Sequence, residues 1–194
     1  MRFLVLAAAL ATGLPAHAFT PTPDWPCVQP RQPHLSLGQV WTGPPPPEKA
    51  AEPPGIAALA ERLAQRRMPL DEATAAINAF AQGQDAETLA ALMGAVFRRI
   101  DAQRSAIMDG ISRYGHRQVG LADRIEARRA RMAELQAADP PDFDAIDAEE
   151  EALDWDMRVF TDRRQSLTYV CETPVILEQR LFALGRAIGA HLPR

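Results

Sequence analysis

Cys27 and Cys171 are the only cysteines of this 194-residue chain. In an oxidising compartment an even count favours a bond between them, with two buried thiols or a redox pair as the alternatives. Neither lies in a Cys-x-x-Cys or Cys-x-x-Cys-His motif, so thioredoxin-like exchange and covalent haem attachment lack their signatures. For so long a loop the chain-entropy model gives a stabilisation on the order of 4–5 kcal/mol.

His116 is the centre of the next candidate group. Arg113, Tyr114 and Arg117 surround it in sequence, and Arg163 and Arg164 come near if the chain folds back about Asp139. Such a basic, partly aromatic patch suits an anion or a carboxylate. The plainer reading is a surface histidine among arginines that pair with Asp123 and Asp162. Gly110, Gly115 and Gly120 recur in the same stretch. Each costs roughly 1 kcal/mol inside a helix, so the triplet implies either close approach of another segment or a hinge. The proline-rich segment near the N-terminus is the preferred neighbour. No strand precedes these glycines and no Gly-Lys-Ser/Thr follows, so they are not a phosphate loop.

Other chemistry lacks its residues. His34 and His191 have no metal-ligand neighbours at useful spacing, and no Glu-x-x-His, Gly-x-Ser-x-Gly or His-Glu-x-x-His occurs. No cofactor and no metal is expected. Asp142, Asp144, Asp147, Glu149, Glu150, Glu151, Asp154 and Asp156 form an acidic run facing Arg124, Arg128, Arg129 and Arg131. It lacks the calcium-loop pattern and reads as a solvated, cross-paired face, with Arg128 and Glu150 as an ion pair in the helix seam.

These residues need elements to carry them. Apolar positions step by four and three through Leu89, Met93, Val96 and Ile100, then Ile107, Ile111 and Tyr114, on to Leu135. After Asp139-Pro140-Pro141-Asp142 the pattern resumes at Phe143 and continues to Ile188. Alternating spacing of this kind is the seam of packed helices. The reading is an all-α fold: a long antiparallel, coiled-coil-like helical hairpin over about 85–137 and 142–190, turning at 138–141. Folding about Asp139 sets Leu121 opposite Met157, Gln118 opposite Phe160, and Ile107 opposite Cys171. Short amphipathic helices at about 56–67 and 71–82 are expected to pack at its base, making a helical domain of 55–194. Pro174 predicts a kink or break.

The start of the chain reads differently. Residues 1–18 have a positive Arg2, a short apolar run and Ala16-His17-Ala18, the pattern of a Sec-type cleavable signal peptide. Residues 19–54 hold 11 of the 17 prolines and form an extended arm, laid on the helices from Trp25 to Trp41, with a free linker from about Thr42. Without Arg2 the chain carries 20 basic and 25 acidic residues, a net charge near −5, which argues against general nucleic-acid binding. Lys49 is the one lysine. With so much Ala, Pro and Gly, that bias reads as a GC-rich bacterial genome rather than as selected phosphate recognition.

The expectation is a non-enzymatic exported scaffold, adaptor or chaperone-like protein of the bacterial envelope, periplasmic or secreted. Its partner would be another envelope protein. No nucleic acid and no integral membrane segment after cleavage are expected, and a homo-oligomer stays open. A small-ligand or metal sensor near His116 is the alternative, and an enzyme of unrecognised type comes third.

Overall fold

The computed structural model describes residues 22, 24–47 and 52–193, so the expected signal peptide at 1–18 lies outside the described residues. Four α-helices make up the fold, and no β-strand is present among the described residues apart from a single bridge between Thr22 and Trp25. They are α1 (Pro54–Ala64), α2 (Leu70–Ala81), α3 (Ala86–Ala137) and α4 (Phe143–Gly189).

Local chemistry explains most of the boundaries. Pro54 opens α1, where its fixed φ and missing donor cost nothing. The helix ends at Ala64, short of Arg67, because Met68 turns inward and Pro69 starts the next element. Gly83, at φ 73°, turns the chain after α2. Asp85 caps α3 by accepting from Thr88 N at 2.8 Å, and Asp142 caps α4 by accepting from Ala145 N at 3.1 Å. At 52 and 47 residues the long helices extend about 78 and 70 Å. Pro174 breaks nothing: α4 runs through it as one helix.

Burial is concentrated at one end. Ile56, Leu59 and Leu63 of α1 and Ala73 and Ile77 of α2 join Leu89–Ile100 of α3 and Leu177–Ile188 of α4 in the main core. A smaller cluster follows further along, made of Trp25, Cys27, Met108, Ile111 and Cys171. Beyond Ile125 in α3, and before Asp156 in α4, no described residue is buried.

The arm links these two clusters. Cys27 and Cys171 are disulfide-bonded, with Cα atoms 5.6 Å apart. Ser112 Oγ donates to Asp24 O at 2.6 Å, and Leu35 N donates to Asp101 Oδ1 at 2.8 Å. The arm then crosses both long helices at glycines. Val40 O lies against Gly185, and the Pro46 ring lies against Gly94. Close approach to small residues thus occurs at Gly94 and Gly185 of the base, whereas a Cβ at Gly120 would meet nothing within 4 Å. Nor does a free linker begin at Thr42: the Trp41 indole donates to Pro44 O at 2.7 Å, and the chain is packed as far as Pro46.

Candidate functional site

The structure brings Tyr114, Arg117 and Arg163 of the sequence-derived patch together, while His116 and Arg164 turn to other surfaces. His116 Nε2 sits 2.9 Å from Asp24 Oδ1, so the imidazole tethers the arm. The Tyr114 hydroxyl donates to Arg163 O at 2.6 Å, and burial raises its pKa against the opposing pull of Arg163 and Arg117. Arg113, Arg117 and Arg163 are exposed, and Arg164 faces a different surface, an apolar trough beside the arm. The disulfide joins Cys27 of the arm to Cys171 of α4, and both residues line a trough with Arg164.

Arg128 takes partners other than Glu150. Its Nη1 meets Glu149 Oε1 and its Nε meets Asp156 Oδ2, each at 2.9 Å, while Glu150 is exposed. Arg124 makes a two-point pair with the same Asp156 at 2.8 Å. Asp156 is therefore buried between two guanidiniums, and Arg124 first, then Arg128, hold its carboxyl below the usual range. A one-residue step around a helix turns a side chain by about 100°, which separates Glu149 from Glu150.

Two arginines escape sequence reasoning. Arg104, 3% exposed, reaches Glu178 with Nε at 2.7 Å and donates to Gln32 O with Nη1. It joins α3, α4 and the arm. Arg180 is buried without a carboxylate. Its Nε and Nη1 donate to Leu63 O and Met68 O at 2.8 Å, covering the carbonyl end of α1, and burial lowers its pKa.

One grouping has the composition of a hydrolase triad. His34 Nδ1 lies 2.9 Å from Asp101 Oδ2 and 3.3 Å from Ser105 Oγ. A relay needs the acid on one ring nitrogen and the hydroxyl on the other. Here both contacts fall on Nδ1, and Ser105 Oγ already donates to Pro33 O at 2.6 Å. The geometry is that of an arm anchor. Among the described residues no group of three or more His, Cys, Asp or Glu is placed to hold a metal ion. No helix of the described residues is long and apolar enough to cross a membrane.

The distal end of the long helices carries a different surface. Trp155 is 64% exposed and Phe143 70%. Around Trp155 runs a shallow depression of about 770 Å³, edged by Asp147, Glu150, Glu151 and Asp154, with Arg128, Asp156 and Arg158 also in its lining. None of these four carboxylates has an ion-pair partner among the described residues, in contrast to Glu149 and Asp156.

The chain matches no known family model, no curated protein and no solved structure.

Proposed function

We propose that this chain is a non-enzymatic scaffold or adaptor of the bacterial envelope, exported by its N-terminal signal. In this reading α3 and α4 form a coiled-coil-like hairpin, α1, α2 and the arm brace its base, and its distal end docks a Lys/Arg-rich segment of another envelope protein. One observation carries the reading: an exposed tryptophan with four unpaired carboxylates against one unpaired arginine, Arg158, at its rim, toward the end where the helices bury no apolar side chain. An aromatic face attracts a cation, and carboxylates at its rim steer a basic segment toward it. The disulfide supports an oxidising compartment. The alternative of a sensor centred on His116 has less support, because Asp24 occupies that imidazole.

A photo-cross-linking amino acid at position 155, compared with one at Ala58 on the base, tests the proposal in growing cells. The expected result is one adduct, specific to position 155, whose cross-linked peptide is rich in Lys and Arg. The triple variant Glu150→Lys, Glu151→Lys, Asp154→Lys should abolish it. Equal capture from Ala58, or an adduct indifferent to charge reversal, would sink the reading.

A further inference from the structure

The trough that holds Arg164 lies where α3, α4 and the beginning of the arm meet. Its apolar walls are Pro26, Val119, Ala122, Phe160 and Leu167, Thr22 and Gln118 add polar atoms, and its volume is about 330 Å³. A second trough of about 440 Å³ shares Pro26, Arg164 and Leu167 with the first and continues past the disulfide to Val175 and Ile176. Both volumes fall in the usual range for small-molecule sites, about 300–1,000 Å³. Arg164 therefore stands at the junction of two mostly apolar surfaces, the second also lined by Gln29, Thr168, Glu172 and Gln179.

We propose that this trough binds a monomeric long-chain carboxylate, with the Arg164 guanidinium on the head group and the chain along Val119, Ala122 and Phe160. Three observations carry it. The walls are apolar and remain open: Val119 is 41% exposed and Ile176 47%. Arg164 has no ion-pair partner among the described residues, although the chain as a whole is acidic. The next carboxylate along the shared surface, Glu172, is eight residues further on α4, about 12 Å away along the helix. A guanidinium matches a carboxylate with two parallel hydrogen bonds, and a single unpaired cation in an apolar channel selects a single anionic head. A cationic amphiphile would meet Arg164 with like charge. A polyanion would find one partner only.

The test is calorimetric titration of the oxidised chain with sodium laurate below its micellar concentration. Dodecyltrimethylammonium and phosphatidylglycerol vesicles form the comparison arms. Saturable binding of one laurate is expected, with no binding of the cationic analogue. Arg164→Gln should weaken laurate by about tenfold or more, the loss of one charge-assisted pair. Val119→Glu should abolish binding by placing a carboxylate in the channel. Both positions are exposed, and unchanged thermal melts would show that the fold is intact. Equal affinity for the two head groups, laurate binding untouched by either substitution, or association with vesicles alone would each overturn the proposal.

Discussion

Arg104 and Glu178 are joined by a contact of 2.6 Å between Nη2 and Oε1, with the arginine side chain 4% exposed and the glutamate 39%. The asymmetry makes the two ends of the pair unequal. Truncating Glu178 leaves a buried charge facing only backbone carbonyls, whereas Arg104→Met removes the charge itself. Glu178→Ala is expected to cost about 2–4 kcal/mol and Arg104→Met less. Urea unfolding of both variants measures the order, and the reverse order would refute the burial argument.

Arg104 also shows what can be read in the sequence. It falls on the seam between Ile100 and Ile107, where the four-three spacing calls for an apolar side chain. That break is visible, yet its meaning is not, because the partners Gln32 and Glu178 are 72 and 74 residues away. Local signals fare better. The break at Asp139-Pro140-Pro141-Asp142 falls between α3 and α4, and the seam spacing requires long helices. Gln118, expected opposite Phe160, donates to Phe160 O at 3.3 Å. The glycines mislead, since Gly94 and Gly185 resemble any helical glycine until the arm is laid over them. Arg180 leaves no trace, as it serves the carbonyls of Leu63 and Met68, more than a hundred residues earlier.

The glycines supply a paired prediction. Gly185→Ala would drive a methyl into Val40 O and should destabilise the fold by about 1–3 kcal/mol. Gly120→Ala meets open space in mid-helix and should stabilise by about 0.4–1 kcal/mol. Opposite shifts in melting temperature are the expected readout; shifts of the same sign would contradict the placement of the arm.

The disulfide joins residues 144 apart in sequence, so its loss should be costly. Cys27→Ala with Cys171→Ala is expected to lose up to about 5 kcal/mol on the chain-entropy model. It should also release the arm to trypsin at Arg31. Intact mass after alkylation without reductant checks the bond directly, because two alkyl additions to the untreated chain would show free thiols.

Acid should weaken the base. Arg99, then Arg98, hold the Glu52 carboxyl at about 2, below its ordinary 4.5. A depressed carboxyl stabilises fully above its unfolded value and loses that contribution as the pH falls through the folded one. The loss thus lies between about pH 4.5 and pH 2 and, allowing for partial solvent exposure, amounts to about 1–2 kcal/mol. Melts at pH 7, 4.5 and 2.5 should show a smaller drop for Glu52→Gln than for the unaltered chain. Parallel curves would remove Glu52 from the account.

The proposed export makes its own forecast. The chain recovered from the envelope should begin at Phe19, and N-terminal sequencing reads this directly. Recovery of an intact Arg2 would contradict cleavage after Ala18.

The lack of buried residues beyond Ile125 makes the long helices a cantilever. They are clamped where α1, α2 and the arm grip them, and compliant at the far end. Their last turns should be the first to open, with amide exchange slowing stepwise toward the base. A partner seated at Trp155 would stiffen those turns as it bound, and the entropy of that stiffening would be subtracted from its affinity. Contact at the free end is therefore suited to capture and release rather than to permanent attachment.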